Sequence, residues 1–316
     1  MRDAARLFLE RSGWAGDQAI PIAGDLSARR YYRLIKGSET AVLMDDEAGV
    51  DTSVPAFVTM TRWLRDLSLS APNILAKDAD NGLLLLEDLG NSPVSAMLSD
   101  KAQRESALKP AIGLLLTIRK ASPAALPQPT VAELCQWTCL ADEFYPGADT
   151  GLLEQFRSVL EPVLLRLWAS TASVSLRDFH ADNLMWLPER LGVARLGLLD
   201  YQDAMLAHPV YDLVSLLTDA RSEISRDTRR EYFALYAHAS GDDIEMLGEA
   251  FAAYSLQRNL RILGIFHRAA KVDGKTHHLP KVPRVYRYLK EALEHSSFAS
   301  LRPHLAKALP EPTGLP

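Results

Sequence analysis

Apolar residues follow two regimes that meet near residue 90. Before it, short apolar runs and alternating segments broken by turn residues predict strands, with two amphipathic helices among them. Ala4, Leu7 and Phe8 place a helix over residues 2–11, ending near Gly13. Residues 24–35 read as strand, turn and strand: Gly24, Ser27 and Ala28 are small, whereas Tyr31, Tyr32 and Leu34 favour extended backbone. Residues 41–44 predict a third strand, and the four leucines from Leu83 to Leu86 predict the most deeply buried one. Between them, Phe57, Met60, Trp63, Leu64 and Leu67 share one side of a helix over residues 54–67, with Pro55 in its first turn. Beyond residue 92, apolar positions recur every three or four residues. They predict helices over residues 101–120, 131–144, 152–168, 233–238 and 243–266. The A-S-P-A-A-L-P-Q-P of residues 121–129 is a connector, because proline does not fit a helix interior.

One stretch interrupts the helical half. Residues 175–203 read S-L-R-D-F-H-A-D-N-L-M-W-L-P-E-R-L-G-V-A-R-L-G-L-L-D-Y-Q-D, three short strands joined by turns. Asp178 follows the first strand, Asn183 comes five positions later, and Asp200 follows the next hairpin. This is the order in which a protein-kinase-type site presents a base and two metal ligands. The residue types suit that chemistry. Phosphoryl transfer from ATP needs a carboxylate to orient and accept the proton of an attacking hydroxyl. It also needs hard oxygen ligands for Mg²⁺. Asp182 and Asp203, taken singly, are equally readable as turn caps.

With L-L-D-Y-Q-D at 198–203 and H-P-V-Y-D-L at 208–213, this stretch resembles the aminoglycoside phosphotransferase superfamily. A narrower resemblance is to the anomeric N-acetylmuramate/N-acetylglucosamine kinases of bacterial cell-wall recycling. It rests on G-D-L-S-A-R-R-Y-Y-R at 24–33, A-V-L-M-D-D at 41–46, L-L-L-E-D-L-G at 84–90 and Q-R-N-L-R-I-L-G-I-F at 257–266. The resemblance implies an α+β, protein-kinase-like two-lobed fold. A small lobe with an antiparallel sheet and a helix is expected over residues 1–89, and a larger, mainly helical lobe over residues 90–316. Asp178 would be the catalytic base, with Asn183 and Asp200 holding Mg²⁺. The hairpin tip from Asp25 to Arg30, Ser27 included, would cover the phosphates of ATP. Backbone groups of the segment from Glu87 to Gly90, Leu89 included, would meet the adenine.

The third strand departs from the general kinase pattern, since A-V-L-M-D-D carries no lysine. The narrower group shares this departure. Arg30, Arg33 and Lys36 are then the nearest cations for the phosphates, and arginine suits phosphate oxygens through its planar fork. Around the substrate, His180, Asp203, Tyr145, Arg258 and Arg261 are the candidates. Tyr145 is a helix-end aromatic able to stack on a sugar, and Arg258 and Arg261 share a helix face that suits a carboxylate-bearing one. A salt-bridged helix surface is the alternative for that pair. The implied product is a sugar 1-phosphate. A kinase of another small alcohol (an aminoglycoside, choline or homoserine) and a pseudokinase that only binds nucleotide stay open.

Composition narrows this further. The formal charge of −5 over 316 residues gives nucleic-acid binding no electrostatic support. Cys135 and Cys139 are the two cysteines and read as free thiols of a reducing cytoplasm, not as a metal site. His277 and His278 are adjacent and are expected to point in different directions, which speaks against a shared metal. No stretch approaches the roughly 20 apolar residues of a membrane span, and the N-terminus lacks a signal-peptide core. Asp212, at the apolar start of a helix, is expected to tie down a loop through backbone N–H groups. A cytoplasmic monomer is expected.

Overall fold

Five antiparallel strands in the order β1-β2-β3-β5-β4 carry the N-terminal part of the chain. They are β1 (Gln18–Ile22), β2 (Arg30–Lys36), β3 (Glu39–Asp45), β4 (Ile74–Asp78) and β5 (Leu83–Glu87). In β5, Leu83 and Leu85 join Phe8 and Leu9 of helix α1 (Asp3–Arg11) in one apolar cluster with Leu34, Ala41 and Leu43. Leu84 and Leu86, on the other face, are buried as well. Burial on both faces is why β5 reads as a continuous apolar run and not as an alternation. Helix α2 (Ser53–Asp66) buries Phe57, Met60 and Leu64 as the spacing predicts.

This computed structural model describes residues 1–14, 18–22, 29–50, 52–168 and 172–312. Its chain forms two compact units: Met1–Ala96 with Asn183–Ala204, and Met97–Asp182 with Met205–Pro316. The hairpin of β7 (Leu184–Trp186) and β8 (Leu196–Leu198) therefore belongs with the N-terminal sheet, far from it in sequence. Hydrogen bonds explain the placement. Leu198 N–H donates to the Ser70 carbonyl at 2.9 Å, Trp186 N–H to the Ser92 carbonyl at 2.7 Å, and Ser70 Oγ to the Ala194 carbonyl at 2.6 Å.

The second unit is mainly helical. Around the paired strands β6 (Ser173–Ser175) and β9 (Met205–Ala207) it contains α3 (Lys101–Lys120), α4 (Val131–Gln136), α5 (Leu140–Phe144) and α6 (Thr150–Trp168). They are followed by α7 (Tyr211–Leu217), α8 (Arg226–Ser240), α9 (Ile244–Asp273), α10 (Val282–Ala292) and α11 (Leu305–Ala308). The longest, α9, starts at Asp243, whose carboxylate accepts from Glu245 and Met246 N–H at 3.0 and 2.9 Å. It ends at Gly274, in the left-handed region at φ +68°.

The single helix expected over residues 131–144 is broken. A 3₁₀ turn at Trp137–Cys139 separates α4 from α5. Side-chain donors, one tertiary and one local, compete for the helix's own acceptors there. Gln257 Nε2, from α9, takes the Leu134 carbonyl at 2.8 Å, and Thr138 Oγ1 takes the Cys135 carbonyl at 2.7 Å. Trp137, at the break, keeps an intermediate exposure.

Candidate functional site

In the first unit, β8 runs out into Asp200, whose backbone is left-handed at φ +56°. Leu199 N–H donates to the Asn183 carbonyl at 3.0 Å, which sets Asn183 and Asp200 at the same end of the β7–β8 hairpin. Tyr201 fixes the turn. Its ring stacks on Phe57 at 4.9 Å and its hydroxyl shares a 2.7 Å hydrogen bond with Thr61 on α2. Gln202 Nε2 bridges Asp200 and Asp203 at 2.9 and 3.2 Å.

Facing these carboxylates is Arg29, which the sequence reading did not select. Its guanidinium lies 3.2 Å from Asp200, 3.9 Å from Asp203 and 3.8 Å from Asp46, with only 11% of the side chain exposed. Burial works against its charge, but Tyr31 and these three carboxylates more than offset that and raise its pKa. The R-R pair at 29–30 held the signal. Both lie in the Asp25–Arg30 tip expected over the phosphates, but of the pair only Arg30 is named there as a cation, and the two guanidinia meet different carboxylates.

The other expected cations are committed elsewhere. Arg30 pairs with Asp45 at 3.4 Å, a buried carboxylate that Arg2 also holds. Arg33 reaches Asp88 at 2.8 Å and donates to the Gly90 carbonyl at 2.7 Å, strapping the segment after β5. Lys36 donates to the Gly13 carbonyl at 2.8 Å. The Glu87 carboxylate accepts from Asn73 at 2.9 Å and pairs with Arg190 at 2.5 Å, and Leu89 is buried. Ser27 lies outside the described residues.

In the second unit, β6 leads into the loop that carries Asp178. Asp212 organises it from the first turn of α7. Its carboxylate accepts from Ser175 Oγ, Leu176 N–H and Arg177 N–H at 2.8, 2.6 and 3.0 Å, the loop-tying role its apolar surroundings predict. Burial nonetheless pushes its pKa up to about 6. Arg177 is left-handed at φ +69°. Its carbonyl accepts from Arg258 at 3.0 Å, and the same guanidinium lies 3.5 Å from Asp178 Oδ1. Desolvation tends to raise the Asp178 pKa, but Arg258, His180, Arg261 and Arg177 together hold it below the usual carboxylate range. The side chain keeps 38% of its surface exposed.

His180 is buried two residues on, its pKa lowered by desolvation and by Arg221 against the opposing influence of Asp219 and Asp178. Arg261 and Arg177 both rest on the Trp137 indole, at 5.2 and 5.0 Å from its centroid. Tyr145 is not the open platform expected of a helix-end aromatic. It is buried, its ring edge-on to His267 at 4.7 Å and its hydroxyl donating to the Pro310 carbonyl at 2.7 Å. Cys135 and Cys139 are free thiols.

One carboxylate and one side-chain amide at the hairpin end, with an arginine opposite, fit a hard cation such as Mg²⁺. That ion takes few protein oxygens and completes its shell with water and phosphate. Arg29, 3.2 Å from Asp200, offsets part of the charge of this acidic group.

Residues 18–248 match the Phosphotransferase enzyme family, and the chain belongs to it. It is therefore an enzyme of the phosphoryl-transferring class, which implies the use of ATP. An N-acetylmuramate/N-acetylglucosamine kinase of Caulobacter vibrioides is 31% identical over 99% of this chain and 98% of its own length. One of Pseudomonas aeruginosa is 30% identical over 92% of this chain and 86% of its own. Among solved structures, choline kinase LicA from Streptococcus pneumoniae superposes with a TM-score of 0.66 over 92% of this chain and 100% of its own. At 14% identity that likeness speaks for the fold alone, which is the kinase-like α+β class expected. Among the described residues no helix is long and apolar enough to cross a membrane.

Proposed function

We propose that this chain transfers the γ-phosphoryl group of ATP to the anomeric hydroxyl of N-acetylmuramate and N-acetylglucosamine, with Mg²⁺, as in peptidoglycan recycling. The observation that carries the choice of sugar is the near-full-length identity to kinases of that name. Asp178 orients the hydroxyl and takes its proton as the oxygen–phosphorus bond forms and ADP departs. Its lowered pKa makes it a weak base, which suits an anomeric hydroxyl, more acidic than an ordinary alcohol. Asn183 and Asp200 hold Mg²⁺, which when bound neutralises phosphate charge. Arg29 supplies the phosphate-facing cation that the third strand lacks. Arg258 and His180 act as positioning residues for the Asp178 loop, and Asp203 shares Arg29 with Asp200. The segment after β5, strapped by Arg33, offers its backbone to the adenine.

Three arginines around Asp178 disfavour a quaternary ammonium or a polycationic aminoglycoside as acceptor. The protein acts as a cytoplasmic monomer in this reading. Turnover against N-acetylmuramate, N-acetylglucosamine, glucose, kanamycin, choline and homoserine, with and without Mg²⁺, tests it, with ³¹P NMR locating the product phosphate. Asp178→Asn should lose about a hundredfold to ten-thousandfold in kcat while nucleotide binding survives. Asp200→Ala should lose both turnover and metal-dependent nucleotide binding. Wild-type rates in Asp200→Ala would refute the metal assignment, and nucleotide binding without turnover of any acceptor would mark a pseudokinase.

A further inference from the structure

Arg258 and Arg261 stand three residues apart on α9, yet they do different things. Arg258 is buried and turned onto the Asp178 loop. Arg261 rests on Trp137, where it meets Arg177 from the loop. Trp137, Arg177 and Arg261 each keep an intermediate exposure, so the cluster is reachable from solvent. The Nε of Arg177 is buried without a hydrogen-bond partner among the described residues, a donor left desolvated. Its backbone leaves it little freedom to turn away. The left-handed φ of +69° is pinned by Asp212 on the N–H and by Arg258 on the carbonyl.

Two guanidinia on one indole, with a third behind them, are a concentration of like charge. Cation–π contact repays only part of that repulsion, on the order of 1 kcal/mol at partly exposed sites. Desolvation lowers the Arg261 pKa, and Arg177 and Arg258 lower it further against the opposing influence of Tyr211 and Asp178. Asp178 offsets part of this charge, and an anionic ligand seated on Arg177 and Arg261 would offset more of it.

We propose that Arg177 and Arg261, held on Trp137 beside Asp178, form a subsite for the carboxylate of an acidic sugar substrate. Guanidinium forks match the two oxygens of a carboxylate, and the indole offers an apolar face to sugar C–H groups. The proposal rests on the N-acetyl-sugar kinase reading and says how that site treats its two acceptors differently. N-acetylmuramate carries a lactyl carboxylate on the C3 oxygen, two carbons from the anomeric centre, where N-acetylglucosamine has a hydroxyl.

The test is binding, which reads the subsite independently of transfer chemistry. Affinities of both sugars are measured by calorimetry on the full-length protein with Mg²⁺ and a non-hydrolysable ATP analogue, for wild type, Arg261→Gln and Arg177→Lys. Arg261→Gln should weaken N-acetylmuramate by about tenfold or more while N-acetylglucosamine stays within about twofold. Arg177→Lys, which keeps charge but loses the fork, should weaken N-acetylmuramate selectively but less. Equal weakening of both sugars, or unchanged N-acetylmuramate affinity, overturns the proposal. Should either variant fold poorly, the methyl ester of N-acetylmuramate on the wild-type protein removes the charge from the other side. An ester that binds as tightly as the acid overturns the proposal equally. Wild-type protein that turns over neither sugar sinks the sugar reading, whereas sugars that respond alike to Arg261→Gln sink the subsite alone.

Discussion

Helix α9 carries two glycines that make opposite demands on the same substitution. A Cβ on Gly264 would stand 2.3 Å from the Leu140 carbonyl carbon, 2.5 Å from Leu140 Cβ and 2.6 Å from Ala141 N. Carbon atoms pack best at about 3.5–4.0 Å, so α9 and α5 would have to part by about 1 Å. The obstructing atoms are largely backbone, which cannot rotate aside, so the overpacking cost falls at about 2–3 kcal/mol. Alanine recovers about 1 kcal/mol of helix propensity over glycine. The net loss expected for Gly264→Ala is about 1–2 kcal/mol. A Cβ on Gly248, four turns earlier in the same helix, meets nothing within 4 Å. Gly248→Ala should therefore gain up to about 1 kcal/mol. Urea unfolding of both variants, compared at equal slope, reads the difference directly. Turnover adds a second readout: α9 also positions Arg258 and Gln257, so Gly264→Ala should lower kcat and Gly248→Ala should not. If Gly264→Ala proves as stable as Gly248→Ala, the close approach of α9 to α5 is wrong.

Arg29→Met should weaken Mg²⁺-nucleotide binding by about tenfold, with Arg29→Lys recovering part of it. Calorimetry checks this, and an unchanged affinity would remove Arg29 from the phosphate site. His208 gives a pH signature. Burial, aided by Arg119 and opposed by Asp242, depresses its pKa to about 4, against about 6.5 in an unfolded chain. The unfolded state then protonates first as pH falls. The stability His208 contributes is complete above about pH 6.5 and is lost towards pH 4, by up to about 3 kcal/mol. In His208→Asn, where Oδ1 can still accept the Val210 N–H that Nδ1 accepts at 3.2 Å, that loss should vanish. Parallel stability–pH curves for the two proteins would refute it.

Local chemistry wrote much of the fold plainly into the chain. Helix α3 spans the residues its apolar spacing predicts, and the buried leucines of β5 were readable because burial on both faces leaves no polar alternation to obscure them. Where neighbours compete for backbone acceptors, periodicity misleads. Residues 131–144 have the pattern of one helix, but Gln257 and Thr138 take the carbonyls that would have continued it. Tyr145 misled in the same way, since its position at a helix end says nothing of His267 and Pro310, which enclose it.

The candidate site divides along the same line. The sequence by itself determined the order Asp178, Asn183, Asp200, because strand ends and turns have local signatures, and with it the family. It also determined that the third strand has no lysine. Which cation faces the acidic group was decided only in three dimensions. Arg30, Arg33 and Lys36 are as basic as Arg29, but their partners Asp45, Asp88 and Gly13 are brought to them by register and loop packing. Arg29 remains with Asp46, Asp200 and Asp203, residues up to 174 positions away in the chain. The same holds for Arg177, Arg261 and Trp137, which come from a loop, a long helix and a helix break. Charge and hydrogen-bonding capacity are properties of a residue. Whether they are spent on structure or left for a ligand depends on neighbours that only the folded chain supplies.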